Sequence, residues 1–504
     1  MSDQNASAAR GRKVYPSGVL EAVRSPAILI REILAGTVTA LALIPEVISF
    51  SFISGVDPKV ALVASITLGL VMSAIGGRPG MVTAAAGSVA LVIGPMVKVH
   101  GVGYILPAVI LAGLIQIALG LLGFARLMRF VPRSVMIGFV NSLGILIFFA
   151  QIPHLINVPL AVYPLFMGTV AIVLLAPRFT EVIPAPLIAI CVVTVIAVTG
   201  HLHVPSVGGD GSFHAGFFRI TRLDVPLSFE TLSIVWPTAL SVAFVGLLET
   251  LLTAKLVDEL TDTKSHKGQE AWALGIANIV ASFLGGIAGC AMIGQTIVNV
   301  KIADGRTRIS TAAAALALLL LVTGLSEVMT QIPMVALAAI MMIVAIRTFS
   351  WHSVAPSTLR RMPVSENLVL FSTTAATVAT GNLAIGVAGG VLLAMVLFTR
   401  RVAHVITVDR KPAPDGASVR YEVRGPLFFG SSNDLAEQFS YATDPSFVTV
   451  DFTHSQIWDA SSVATLDSIE TKYKAYGRAI EFTGFDNRSQ NFHGRLTGTL
   501  TGAG

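Results

Sequence analysis

Charge is scarce in this sequence: Asp, Glu, Lys and Arg together make up 12% of 504 residues, against 54% hydrophobic residues and a mean hydropathy of +0.76. That balance excludes an ordinary soluble chain and indicates a polytopic membrane protein. Cysteine is almost missing. Cys191 and Cys290 both stand in apolar surroundings, so they read as small packing residues and exclude a disulfide framework. The histidines are scattered without metal-ligand spacing, and no metal or cofactor is expected. No Walker A loop, nucleophile elbow or zinc motif occurs, which argues against an ATP-driven pump. Two well-separated carboxyls without a nucleophile make a poor active site, so the chain is not read as an enzyme. The first thirty residues are polar and basic with no apolar core, so no signal peptide is expected. The net charge of +5 is spread over short loops rather than gathered in one patch, which reflects membrane topology and not nucleic-acid binding.

What is abundant is apolar sequence in runs of bilayer length. After a basic segment over residues 1–30, with a short interfacial helix at Ser17 to Val23, spans are expected near 33–54, 59–76, 82–98, 103–123, 134–151, 160–176 and 183–200. A polar stretch, His201 to Phe229, separates these from a second set near 235–254, 270–287, 290–303, 309–327, 332–348, 365–380 and 382–400. The fold class is thus an α-helical polytopic membrane protein of about fourteen spans. Arg78, Arg126, Arg129, Arg133, Arg178, Lys255, Lys264, Lys267, Arg306, Arg308, Arg347, Arg360, Arg361, Arg400 and Arg401 fall on one side of that topology. Lys59, Lys98, Arg219 and Arg222 fall on the other. The bias puts both termini in the cytosol of a cell whose inner (plasma) membrane the protein spans. Two sets of seven must insert with opposite orientation, so the halves, about 31–200 and 232–403, are expected to form an inverted repeat.

Two stretches break the apolar pattern at matched places. Ala84 to Ile93 passes through Gly87, Ser88 and Val89, and Met292 to Ile302 passes through Gly294, Gln295 and Thr296. Glycine and polar groups at lipid depth imply interrupted backbone, tolerated only where protein encloses it or it lines a cavity. A matched pair in two halves is the best sequence pointer to a transport site. If helices begin at Ser88 and Gln295, their free N–H groups and partial positive charge offer an anion site without a fixed cation. Two acids lie inside the spans, Glu46 beside Pro45 and Glu249. A carboxylate at bilayer depth costs several kcal/mol unless neutralised, paired or wet, so these two are the expected carriers of a coupling ion, H+ or Na+.

Beyond Arg401 the composition turns polar. Residues 404–418, containing DRKPAPDG (Asp409 to Gly416), read as a linker. Residues 419–504 alternate strands and helices and read as a small cytosolic α/β domain. Within it Asp459, Ser461 and Ser462 fall at a strand-to-helix turn. Ser461 is a candidate phosphate acceptor, and helix capping by these residues is the simpler reading.

Several runs carry a family resemblance: LLETLLTAKLVDELT (Leu247 to Thr261), GIANIVASFLGGIAG, QTIVNVKIADGRTRIS, the first-span run AGTVTALALIPEVISFSFISGVDP, RFVPRSVMIGFVNSLGILIFFAQ, and GPLFFGSS. Together they resemble the sulfate-permease (SulP) anion transporters, relatives of solute carrier family 26, with a C-terminal STAS domain. The resemblance implies a seven-plus-seven inverted repeat with core and gate domains. It also implies elevator-like movement, usually as a homodimer, and a small anionic substrate held near Glu46, Ser88, Glu249, Gln295 and Thr296. Cytosolic regulators acting through the STAS domain are a further implied class of partner. Many members have Arg where this chain has Gln295, so less fixed charge is available here for a divalent oxyanion. The expected activity is proton-coupled symport of a dicarboxylate such as fumarate, with sodium- or proton-coupled bicarbonate or sulfate import as the alternative. From other classes, a passive channel would need a basic ring along its pore, which the sequence does not offer. A membrane sensor would use the cytosolic domain as its output.

Overall fold

A computed structural model describes residues 18–497 apart from 124–130, 180–182, 210–219, 227, 404–405 and 415. The basic leader before Gly18 and the loop cations Arg126, Arg129 and Arg219 lie outside the described residues. The chain forms two compact units, one up to Val391 and one from Leu392 onward.

The first unit is helical. Its first half contains α1 (Val19–Arg24), α2 (Pro26–Ser54), α3 (Pro58–Ile75), α4 (Gly87–His100), α5 (Ile105–Leu121), α6 (Arg133–Gln151), α7 (Val162–Leu175) and α8 (Ala185–Thr199). Its second half contains α9 (Phe229–Thr261), α10 (Lys267–Phe283), α11 (Ile293–Ile297), α12 (Arg308–Gly324), α13 (Ser326–Thr330), α14 (Met334–Thr348), α15 (Trp351–Val354), α16 (Pro356–Arg361) and α17 (Val364–Thr380), and α18 (Leu383–Ala403) begins in it and continues into the second unit. Most fall on the expected spans, since only helices satisfy their own backbone in lipid. Among the described residues, six helical segments are long and apolar enough to cross a membrane, and shorter apolar helices accompany them.

Some boundaries differ from the expected ones. Helix α2 starts at Pro26 rather than Ile33, because Pro is favourable in a first helical turn. Helix α9 runs for 33 residues, or about 50 Å, so it outreaches the hydrocarbon. The expected span at 290–303 is a two-residue strand, the short α11 and a π-helical turn over Val298–Ile302.

Packing sorts the helices into two groups. In one, α2 and α3 pack on α12, α3 and α5 on α10, and α5 and α4 on α9. In the other, α6 packs on α14 and α17, and α7 on α8 and α14. Small residues allow the closest approaches, as in membrane helix pairs generally. A Cβ on Gly113 of α5 would stand 2.7 Å from the Gly275 carbonyl of α10, and one on Gly36 of α2 would stand 2.7 Å from the Ala313 Cβ of α12.

The second unit holds a four-stranded sheet ordered β3 (Thr407–Pro412), β4 (Ser418–Leu427), β5 (Phe447–Ile457) and β6 (Ala479–Thr483). β3 is antiparallel to β4, and β4, β5 and β6 run parallel. Helices α19 (Ser432–Glu437), α20 (Ala460–Ala475) and α21 (Asn487–Leu496) follow the parallel strands. The linker expected at 404–418 needs correction, because Thr407–Pro412 within it is an edge strand paired antiparallel with β4. Its charges and its Pro made it look like linker, and these are the residues tolerated on an exposed sheet edge. The core gathers Tyr421, Val450, Phe452, Leu466, Ile469 and Tyr473. At its margin buried Asp444 accepts 2.6 Å hydrogen bonds from both the Tyr421 and Tyr473 hydroxyls, while its other oxygen takes the Arg410 Nε and Nη2 groups at 2.9 and 2.8 Å.

Candidate functional site

The two interrupted stretches meet. Thr83–Ala84 (β1) pairs antiparallel with Cys290–Ala291 (β2), Thr83 opposite Ala291 and Ala84 opposite Cys290. A helix departs from each strand, α4 from Gly87 and α11 from Ile293, and neither N-terminus carries a side-chain cap. The first-turn N–H groups of each have no carbonyl one turn back, so both helices present their positive ends next to one crossing of extended backbone.

Side chains from flanking helices satisfy the extended backbone. Ser65 of α3 accepts from the Ala85 N–H at 3.1 Å, Thr250 of α9 from Ala291 at 3.0 Å, and Asn278 of α10 from Gly289 at 2.8 Å. The crossing is tight: a Cβ on Gly289 would lie 2.1 Å from the Ala84 carbonyl, and one on Gly87 would lie 2.7 Å from the Phe50 ring. Gly294 differs, since a Cβ there would meet nothing within 4 Å. The α11 start therefore opens onto free space, while the α4 start is closed in by Phe50.

Glu249 of α9 is buried beside the α4 start. Its Oε2 accepts a short hydrogen bond from the Ser88 hydroxyl and a 3.1 Å contact from the Cys290 thiol, with Ser88 Oγ and Cys290 Sγ 3.6 Å apart. Glu46, half-buried on α2, interacts with the Gln295 side chain at the start of α11. Each half-helix thus has its own acid. Val89 is fully buried behind Ser88. Thr296 is also fully buried, and its hydroxyl accepts from the Val82 N–H at 3.0 Å. That bond leaves Thr296 bracing the entry to β1.

Sequence reasoning missed Cys290 as a partner of Glu249, because the two are 41 residues apart. It also missed two buried acids at the edges of the expected spans. Glu32 accepts from the Arg306 and Thr307 N–H groups at 2.8 and 3.0 Å and from the Thr307 hydroxyl at 2.7 Å. Glu270 accepts from the Gly77 and Arg78 N–H groups. Each clamps the loop beside one interrupted segment. Polar residues at single positions within apolar helices, Ser65, Thr250 and Asn278, were the available signal for the crossing. In the second unit Ser461 is exposed and Asp459 caps α20, accepting from the Ser462 N–H at 3.0 Å.

A helical membrane unit in which interrupted segments from two halves of the chain meet at their helix starts defines a membrane transport protein. The comparisons with known proteins agree. The model described as Sulfate permease family matches residues 29–170 and 160–373, and the STAS domain model matches 410–490. The chain is 45% identical to the candidate sulfate transporter YbaR of Bacillus subtilis, over 92% of this chain and 95% of that one. It is 24% identical to the bicarbonate transporter BicA of Picosynechococcus sp., over 82% and 81%. The structure of murine Solute Carrier 26 family member A9 superposes with a TM-score of 0.81 at 16% identity, covering 96% of this chain and 88% of that one. The chain belongs to the sulfate permease family and carries a C-terminal STAS domain; it is an anion transporter and not an enzyme.

Proposed function

We propose that this chain imports a small inorganic oxyanion of the sulfate or bicarbonate class together with protons, and binds it between the starts of α4 and α11. The carrying observation is the β1–β2 crossing, with Ser88 on Glu249 at one half-helix and Gln295 beside Glu46 at the other. Helix-end N–H groups attract an anion, and Gln295 adds polarity without the charge of an arginine. A carboxyl enclosed beside them can travel protonated with the substrate, which offsets the charge that a lone anion would carry through low dielectric.

The relatives are named for sulfate and bicarbonate, and none reported above is named for a dicarboxylate. We therefore place the inorganic oxyanions ahead of fumarate. The two helix groups support elevator-like movement of the group bearing the crossing against the other. A homodimer in the plasma membrane with both termini cytosolic completes the reading. Exposed Ser461, in the first turn of a capped helix, is its candidate regulatory phosphosite.

Purified protein in liposomes, given labelled sulfate, bicarbonate or fumarate with pH and sodium gradients imposed separately, tests this. Accumulation of sulfate or bicarbonate under an inward proton gradient is expected, and Glu46→Gln should slow that uptake while the protein stays folded. Uptake driven by sodium alone and indifferent to pH, or confined to fumarate, overturns the proposal. Unchanged pH dependence in Glu46→Gln moves the coupling role to Glu249.

A further inference from the structure

The four-stranded sheet has two ends, and large exposed aromatic side chains at one of them find no place in anion transport. β3 begins at Thr407 opposite Arg424, so the chain arriving from α18 enters the sheet at the end where β4 and β5 finish. Leu427 and Ile457, paired in register, are the last residues of those strands. The next residues are Phe428, Phe429 and Trp458. Phe428 is nearly buried, whereas Phe429 is 64% and Trp458 59% exposed. The two loops brace each other: the Trp458 N–H donates to the Leu427 carbonyl at 2.9 Å, and the Phe429 N–H donates to Asp459 Oδ2 at 2.6 Å. Phe428 sits between them, its ring centroid 5.4 Å from that of Phe429 and 6.2 Å from that of Trp458. These rings are therefore held out on a fixed platform rather than on slack loops.

α18 tells which surface lies nearby. It exposes Leu392, Met395, Val396 and Phe398, then ends on exposed Arg400 and Arg401. An apolar helix closed by arginines marks the bilayer boundary. Four peptide links join Ala403 to Thr407, so at most about 15 Å separates the helix end from the sheet. Arg424, opposite Thr407, is paired with Glu422 at 3.3 Å and Asp409 at 3.9 Å, so the free positive charge here is that of the helix end. The opposite end of the sheet, with exposed Phe447 at the start of β5, lies about 30 Å away along an eleven-residue strand.

We propose that Phe429 and Trp458 form an interfacial anchor through which the STAS domain rests on the phospholipid surface beside α18, with Arg400 and Arg401 facing anionic headgroups. Aromatic rings favour the depth where one side is apolar and the other wet, and nearby cations add attraction to anionic lipid. The anchor does not depend on which anion is carried.

The test uses the full chain in liposomes of phosphatidylcholine and phosphatidylglycerol. Its four tryptophans are Trp236, Trp272, Trp351 and Trp458. With the first three changed to Phe, lipid brominated near the headgroup should quench Trp458 emission about twofold relative to unbrominated lipid, as expected for a ring at the interface. Aqueous iodide should quench it weakly. Should the triple variant fold poorly, a nitroxide on Phe429→Cys in a Cys191→Ser background gives a second reading, with Phe447→Cys as the far-end control. The 429 label should collide with oxygen in preference to a water-soluble nickel chelate, and the 447 label should do the reverse. Iodide-accessible Trp458 with no bromolipid quenching shows an exposed loop and overturns the proposal. A ring shielded from both quenchers shows a protein partner or a second copy there and overturns it equally.

Discussion

Ser88 joins substrate and coupling chemistry in the proposed site, because its N–H lies in the free first turn of α4 and its hydroxyl donates to Glu249. Hydrogen bonds to charged groups contribute about 1.5–3 kcal/mol. Ser88→Ala should therefore raise the half-saturation concentration about tenfold or more in liposome uptake, with the protein still folded; an unchanged value would take Ser88 out of the site. Asp451 of β5 is a purely structural acid. Partial burial works against its charge, and hydrogen bonds from the Thr453 hydroxyl and N–H and from the Arg420 guanidinium outweigh this, holding its carboxyl down at about 2. A depressed carboxyl stabilises the fold above its ordinary value near 3.8, and that contribution is lost as pH falls through about 2. Hydrogen exchange over β5 in the intact chain, corrected for intrinsic rates, should show Asp451→Asn less protected than wild type at neutral pH. The difference should shrink between pH 4 and pH 2. A gap independent of pH would contradict this account.

The clamps that hold the interrupted segments act between elements. Glu270 at the start of α10 ties down Gly77 and Arg78 ahead of β1, and Glu32 on α2 ties down Arg306 and Thr307 after α11. Removing a buried acceptor strands its donors, at about 1–3 kcal/mol for each group. Glu270→Ala should lower the thermal midpoint of the detergent-purified protein and raise exchange at residues 77–84 before other segments; a uniform loss across all helices would contradict a local clamp. Hydropathy made the helices legible because lipid leaves the backbone no alternative. It could not show β1 and β2, since two-residue strands have no periodicity. β3 was hidden by the charge of an exposed edge. Glu32 and Glu270 escaped notice because they fall at the edges of the expected spans, 33–54 and 270–287, where an acid usually meets water. The paired glycines and the two mid-span acids were legible, because small and charged residues are costly at that depth without a use. Their grouping, with Cys290 and Ser88 on Glu249 and Gln295 beside Glu46, needed the three-dimensional crossing.

Over the whole molecule, the sulfate permease family fold brings two segments about two hundred residues apart to a single point, and the anion is proposed to bind where their helices begin. Anomalous X-ray scattering locates an oxyanion there most directly, with selenate soaked into crystals as a heavy stand-in for sulfate. The account predicts a selenium peak between the starts of α4 and α11, within hydrogen-bonding reach of the Ser88 and Gln295 N–H groups. A selenium peak confined to the loop arginines, with none at the crossing, would contradict it.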